Sequence, residues 1–219
     1  MSGAIFAHKS VHEFSSREGN FVANDSMMKE TGILSEELKC RIKTTELVLI
    51  GGVGLDIVAD AVGRLGFCDI NTCDDNSAFT QCDVALVCCS DKEMYADAIC
   101  HYKSAGIPVI CLFNFGIGAC ATVVTPDSPI PKFVEEKSNC AAVKAMLDYA
   151  RGYSAFWHIE QNRWLEYADK WIATQEISSS VGNYAMASVA AHLLIAIVAG
   201  NEIKTYPKFY LSTIANDIY

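Results

Sequence analysis

A chain of 219 residues, with 51% apolar and 20% charged residues, is long enough to bury a core and too apolar to be disordered. The net charge of −9 argues against nucleic-acid binding and favours small-molecule or protein ligands. We expect a cytoplasmic, non-membrane protein, because the N-terminus lacks a long apolar segment and many of the ten cysteines lie in apolar runs. The cysteines contain no C-x-x-C pair, which argues against a structural zinc site.

The first predicted unit is a strand, a glycine turn and a helix. An apolar strand at residues 47–50 is followed by three glycines, Gly51, Gly52 and Gly54. A helical pattern then covers Leu55–Leu65 and stops at Gly66. Glycines let backbone N–H groups approach a phosphate, and the helix N-terminus favours its negative charge. The turn is therefore a candidate phosphate site, although a strand–helix junction without a ligand is the alternative.

A second short strand, Asp69–Cys73, ends in the two acidic residues Asp74 and Asp75. An acid at this position of a βαβ unit can bind the hydroxyls of a ribose. A solvated turn explains the same pair without a ligand. Together with the glycine turn, the acids favour a nucleotide as the ligand.

The next elements continue the alternation of strands and helices. Residues 83–89 form the continuous apolar run of a buried parallel strand, and Ser90 is the predicted cap of a helix that ends at Gly106. Strands follow at residues 107–113 and 119–125. This order predicts a Rossmann-like, doubly wound α/β fold, with a mainly parallel sheet and helices on both faces.

Three residue types near the strand ends have two interpretations each. Asp91 is either a metal ligand or a helix cap. Asn114 follows a strand at the edge where open sheets bind ligands, so it either contacts the nucleotide or substrate or forms a turn. Cys88 and Cys89 are either buried structural thiols, or one of them is a nucleophile.

The second half of the chain is predicted to be helical. Residues 132–177 form an aromatic insertion whose stripe is expected to pack on the core or to form a wall for the substrate: Trp157, His158, Trp164, Tyr167 and Trp171. A hinge at residues 178–182 precedes a small-residue helix at 183–199, stopped by Gly200, and a last strand near 208–213. The apolar stretch at residues 185–199 is interpreted as too short to span a bilayer. All of this forms one domain, with residues 1–45 as an N-terminal arm and 178–219 as the returning helix and strand.

Several stretches in this order resemble the ThiF/MoeB family of ATP-dependent adenylyltransferases, relatives of the ubiquitin-activating enzymes. They are the glycine turn with Arg64-Leu65-Gly66-Phe67 and Asp74-Asp75-Asn76, then Val87-Cys88-Cys89-Ser90-Asp91, Ala105-Gly106-Ile107-Pro108, Ala121-Thr122-Val123-Val124-Thr125-Pro126, and the helix from Ser178 to Gly200. The match covers residues 46–126 and 178–214.

The resemblance implies attack of a small-molecule carboxylate on the α-phosphate of ATP. By position, the glycine turn and Asn114 are implied ligands of the nucleotide, and Asp74 or Asp75 of its ribose. Asp91 is implied to bind Mg²⁺. Arg17 is implied to reach the ATP of a neighbouring protomer in a homodimer, and a downstream protein is an implied acceptor of the acyl group.

Compared with the family, the glycine loop is shorter, and the segment between Asp75 and Asp83 lacks the usual arginine and lysine. These departures, the abundant cysteines and the aromatic insertion resemble the HcgE branch in hydrogenotrophic methanogens. That branch implies adenylation of guanylylpyridinol in the assembly of the Fe-hydrogenase cofactor. Two other functions stay open: an NAD-dependent oxidoreductase of the precorrin-2 dehydrogenase type, and a non-catalytic ThiF-like binding protein.

Overall fold

A computed structural model describes residues 34–52, 54–73, 79–89, 91–135, 142–173 and 179–213. The predictions made for Arg17, Asp74 and Asp75 lie outside these residues.

The described residues form a six-stranded sheet in the order β2-β1-β3-β4-β5-β6. Its strands are β1 (Glu46–Gly51), β2 (Asp69–Cys73), β3 (Val84–Cys88), β4 (Val109–Asn114), β5 (Gly118–Val124) and β6 (Tyr210–Thr213). The helices are α1 (Glu36–Thr44), α2 (Leu55–Leu65), α3 (Lys92–Ser104), α4 (Lys132–Glu135), α5 (Ala142–Phe156), α6 (Trp164–Ala173) and α7 (Ser180–Ala199), with a 3₁₀ turn at Glu160–Asn162.

The direction of the strands confirms the predicted doubly wound α/β fold. β1 runs parallel to β2 on one side and to β3 on the other, and β3 runs parallel to β4. β5 and β6 are antiparallel additions at one edge. Because the chain winds outward in both directions from β1 and β3, the gap between these two strands is the switch point where open α/β sheets bind ligands.

Helices cover both faces of the sheet, as the sequence predicts. In β1 the side chains of Val48 and Ile50 belong to one buried cluster, and those of Leu47 and Leu49 to the other. The first cluster includes residues of α3, α5 and α6, and the second includes residues of α1, α2 and α7. A strand buried on both faces loses the alternation of polar and apolar residues, which explains the continuous apolar runs of β1, β3 and β4.

One helix start confirms an interpretation from the sequence, and another differs from the prediction. α3 is capped by Asp91, whose side chain accepts a hydrogen bond from the backbone N–H of Glu93, as its cap interpretation expects, whereas the predicted cap Ser90 lies outside the described residues. α7 begins at Ser180 inside the predicted hinge, because Ser179 caps it by accepting a hydrogen bond from the N–H of Gly182 at 3.0 Å. Both residues supply the side-chain oxygen that an N-cap requires.

The predicted aromatic stripe in the insertion is wrong as a single helix face. α5 ends at Phe156, and His158 follows it with a left-handed φ of 53°. The N–H of Ile159 bonds back to the carbonyl of Ser154, which is the six-to-one hydrogen bond of a helix-ending motif. Trp164, on the separate helix α6, is buried, whereas Trp157 in the turn is 60% exposed.

Among the described residues, α7 is the helix that has the length and composition to cross a membrane, because it begins at Ser180 and so extends the apolar stretch 185–199 by five residues. In the structure it packs against α2, β4 and β5. Half of the most apolar 18 residues of α7 is buried, as in a helix of a protein core.

Candidate functional site

The glycine turn lies at the switch point of the sheet. Gly51, the last residue of β1, has a φ of 131° and lies beside Cys88, the last residue of β3. A Cβ at Gly51 would stand 1.8 Å from the backbone oxygen of Cys88. The two strand ends therefore approach so closely that only glycine fits.

The turn leads directly into the N-terminus of α2. Gly54 is the N-cap of this helix, with a left-handed φ of 85° and no capping side chain. The N–H of Leu55 bonds to the carbonyl of Gly52 at 3.2 Å, which closes the turn. A Cβ at Gly52 would meet nothing within 4 Å, so the space in front of this residue is open. Backbone N–H groups and the positive end of the helix dipole make this a suitable place for an anion.

Asn114 lies at the carboxyl edge, as predicted, but its side chain is buried and bonded within the protein. Its Nδ2 donates to Oδ1 of Asn183 at 2.7 Å and to the carbonyl of Ser179 at 3.2 Å. Its Oδ1 accepts from the N–H of Gly116 at 2.7 Å. These contacts support the turn interpretation and connect the end of β4 to the start of α7.

Asp91 combines its capping contact with solvent exposure. One carboxylate oxygen, Oδ1, accepts from the N–H of Glu93 at 2.9 Å, and the residue is exposed just after β3. A carboxylate has a second oxygen, so capping a helix and binding a hard cation are compatible. Within the described ranges, no three His, Cys, Asp or Glu side chains come together as a metal site.

The two cysteines at the end of β3 have the properties of structural thiols. Burial raises the pKa of Cys88 to about 12. Burial also raises the pKa of Cys89 to about 12, with a smaller electrostatic contribution from the neighbouring Cys88. Cys88 Sγ lies 3.6 Å from Met186 Sδ in the core. Because the thiolate is the nucleophilic form, neither cysteine is activated for covalent catalysis.

A cavity lies in the insertion, between α5 and α6. It is an open cavity of about 510 Å³, and its lining includes Arg151, His158, Asn162, Arg163 and Glu166. Arg151 is paired with Asp169 at 2.8 Å, and Arg163 with Glu160 at 2.5 Å. None of the lining residues belongs to the glycine turn, so the cavity and the turn are built from different elements.

Sequence reasoning missed Asn183, which the structure brings to the glycine turn. It is buried, and its Oδ1 stands 2.4 Å from the place that a Cβ of Gly54 would take. The available signal was an amide side chain near the start of a helix that has no charged residue and is mostly apolar. Such a residue in an apolar helix needs a hydrogen-bonding partner.

No protein-family model matches the sequence, and no curated protein matches it at a significant level. Among solved structures, E. coli MccB is 9% identical, with a TM-score of 0.51 over 81% of this chain and 64% of its own. The fold is shared. At this identity the likeness shows the α/β fold alone.

Two heterocyclase structures align at lower scores. A heterocyclase solved with substrate and cofactor is 11% identical over 76% of this chain, with a TM-score of 0.46. The heterocyclase TruD is 12% identical over 85%, with a TM-score of 0.41. The chain spans only 20% and 28% of these longer proteins, against 64% of MccB.

Proposed function

We propose that this protein is an ATP-dependent adenylyltransferase that activates the carboxylate of a small molecule. The observation that carries the proposal is the open glycine turn at the β1/β3 switch point, where Gly51 ends a strand and Gly54 opens a helix. The fold likeness to MccB supports it, because MccB has been solved with ATP and with AMPCPP.

In the proposed site, the N–H groups of the turn and of the first turn of α2 hold the phosphates. Asp74 or Asp75 binds the ribose, Asp91 contributes an oxygen to Mg²⁺, and Asn114 lies at the same edge. A carboxylate oxygen of the substrate forms a bond to the α-phosphorus, and the bond from that phosphorus to the bridging oxygen breaks. The products are an acyl-adenylate and pyrophosphate. Positioning and neutralisation of phosphate charge supply most of such catalysis.

The proposal extends to the assembly and the substrate. The protein forms a homodimer in which Arg17 reaches the ATP of a neighbouring protomer. On the resemblance to the HcgE branch, the substrate is guanylylpyridinol, and a downstream protein accepts the acyl group. These statements rest on the sequence resemblance alone.

Calorimetric titration with ATP–Mg²⁺ and with NAD tests the nucleotide. Micromolar binding of ATP without binding of NAD is the expected result. Binding of NAD alone would replace the proposal with the oxidoreductase, and binding of neither nucleotide would leave the non-catalytic fold.

Exchange of labelled pyrophosphate into ATP tests the reaction, because reversal of adenylation regenerates ATP only when the carboxylate is present. We expect exchange that depends on guanylylpyridinol. A protein that binds ATP but shows no exchange with any of a panel of carboxylates, this one included, is not an adenylyltransferase.

A further inference from the structure

The glycine turn does not stand alone at the sheet edge, because a carboxamide lies directly against it. The three side-chain atoms Oδ1, Cγ and Nδ2 of Asn183 stand 2.4, 2.7 and 3.2 Å from the position of a Cβ on Gly54. The amide of Asn183 therefore fills the place that a side chain at Gly54 would occupy. α2 and α7 pack along each other, so this contact holds the starts of two helices together.

A second carboxamide fixes the first. Asn114 Nδ2 donates to Asn183 Oδ1 at 2.7 Å, and both asparagines are buried. Gly182 permits this approach, since a Cβ there would stand 1.9 Å from Asn114 Oδ1. A buried amide costs free energy unless it is hydrogen-bonded, so the pair is constrained to this geometry.

The pair is anchored to the hairpin between β4 and β5 and to the insertion. Gly116 donates its N–H to Asn114 Oδ1 at 2.7 Å, and its carbonyl accepts from the hydroxyl of Ser179. The Trp171 side chain of α6 packs on Gly116, 2.7 Å from where a Cβ would stand. A continuous set of contacts thus joins α6, the hairpin, the start of α7 and the glycine turn.

We infer that Asn183 is a positioning residue for nucleotide binding, acting through Gly54 to hold the glycine turn in its phosphate-binding conformation. This inference rests on the proposed function. The location of Asn183 distinguishes it from the residues of α7 that only pack against the sheet. The buried side chains of α7 that lie on the sheet, such as Leu193 and Leu194, are apolar, and the amide occurs where the helix meets the turn. A residue with this role acts on the phosphates of a nucleotide more than on its nucleoside.

Asn183→Ala tests the inference by removing the amide from Gly54. We expect the Kd for ATP–Mg²⁺ to rise about tenfold, while the Kd for adenosine changes less than about twofold, both measured by calorimetry. Leu193→Ala is the matched control on the same helix: it lowers the midpoint of thermal unfolding by creating a cavity and leaves the Kd for ATP within about twofold of the unaltered protein.

Asn183→Asp covers the case in which the alanine variant does not fold. It keeps an oxygen that accepts the hydrogen bond from Asn114, so we expect a folded protein. Its negative charge beside the turn is expected to weaken ATP binding about tenfold or more and adenosine binding little.

A double variant tests whether the contact is direct. Gly54→Ala alone places its Cβ against the amide of Asn183, whereas Gly54→Ala with Asn183→Ala removes that collision and leaves only the cost of the positive φ. We expect the double variant to bind ATP more tightly than Gly54→Ala alone, because the two positions are coupled.

Equal loss of ATP and adenosine affinity in Asn183→Ala, or no loss of either, overturns the inference. Additive effects in the double variant do the same. Failure of the unaltered protein to bind ATP–Mg²⁺ overturns the proposed function, and the inference falls with it.

Discussion

At the residue scale, substitutions of the glycines in the turn distinguish a glycine that the fold requires from one that a bound phosphate would require. A Cβ at Gly52 meets nothing within 4 Å, and this residue does not have a left-handed φ. Gly52→Ala is therefore expected to change the free energy of unfolding by no more than about 0.5 kcal/mol. If a phosphate lies in the open space, the new methyl group collides with it, and the Kd for ATP rises about tenfold or more. Urea unfolding and calorimetry measure the two effects.

Two other glycines provide the controls for Gly52. Gly51→Ala forces a Cβ onto the backbone of β3, so loss of the fold itself is expected there. Gly152 lies in α5 with open space around its Cα, so Gly152→Ala is expected to stabilise the protein by about 0.5–1 kcal/mol without altering ATP binding. Unchanged ATP affinity in Gly52→Ala would mean that the phosphate does not bind in the open space at this turn.

Asp91 allows its two roles to be tested one at a time. Asp91→Ala removes the N-cap of α3 and is expected to cost about 1 kcal/mol of stability. Asp91→Ser keeps an oxygen for the N–H of Glu93 but loses the carboxylate, so its stability is expected to stay near that of the unaltered protein. If Asp91 binds Mg²⁺, both variants lose Mg²⁺-dependent pyrophosphate exchange. Full pyrophosphate exchange in the serine variant would show that Asp91 acts only as the N-cap of α3.

At the scale of elements, two helix ends have the same backbone conformation with different residues. His158 after α5 has a φ of 53°, and Gly200 after α7 has a φ of 74°. The left-handed conformation costs an L-residue about 1 kcal/mol, and glycine avoids this cost. We therefore expect His158→Gly to stabilise the protein and Gly200→Ala, whose Cβ meets nothing within 4 Å, to destabilise it by about the same amount. Urea unfolding measures both, and a shift of the same sign in both variants would contradict the argument.

The contact between α5 and α6 includes a pH-dependent ion-pair network. Asp169 on α6 accepts from Lys144 at 2.6 Å and from Arg151 at 2.8 Å, both on α5. The hydrogen bond from Lys144, with the charges of both cations, lowers the pKa of Asp169 below its ordinary value. A carboxyl group with a lowered folded-state pKa stabilises the protein above its unfolded pKa, and this contribution is lost as pH falls through the folded value.

Asp169→Asn is accordingly expected to cost about 1 kcal/mol at pH 7. The difference from the unaltered protein should shrink as pH falls below about 4, the unfolded pKa of an aspartate. Urea unfolding at several pH values measures it. Glu160→Gln is the control, because the pair of Glu160 with Arg163 is largely exposed and is expected to contribute little. A difference that persists unchanged at low pH would mean that Asp169 acts by packing rather than by charge.

Elements with local signals were predictable from the sequence, and elements defined by tertiary contacts were not. The bounds of α2 agree with the prediction because a glycine cap stands at each end. The aromatic stripe has the spacing of a single helix face, but α5 ends at Phe156, so Trp157 and the left-handed His158 lie in a turn and the later members lie on α6. A positive φ at a histidine leaves little trace in composition or periodicity.

At the scale of the whole molecule, the doubly wound sheet follows from the alternation of apolar runs and helical patterns. The location of the glycine turn at the switch point follows from that topology. The asparagine pair does not, because Asn114 and Asn183 are 69 positions apart in the chain and meet only after α7 returns to the sheet. Contacts of this kind depend on the register of a helix on a sheet, which a single sequence does not specify.

One exposed face of α7 is a candidate surface for contact between two subunits. Two large apolar side chains on this helix, Val181 and Tyr184, are 42% and 66% exposed. Ser188 and His192 are also exposed, and the helix contains no Asp, Glu, Lys or Arg. An uncharged, partly apolar exposed face is typical of a contact between subunits, and it suits the proposed homodimer.

Ser188→Glu should separate such a dimer into monomers. In a two-fold symmetric contact each new carboxylate lies in the same interface as its copy, away from solvent, so repulsion and desolvation both oppose association. Light scattering after size exclusion measures the mass, expected to be that of a dimer for the unaltered protein and of a monomer for the variant. Tyr167→Glu, on an exposed part of α6, is the control and should leave the dimer intact. A dimer that survives Ser188→Glu would place the contact on another face, and an unaltered protein that is monomeric would remove the route by which Arg17 reaches a neighbouring ATP.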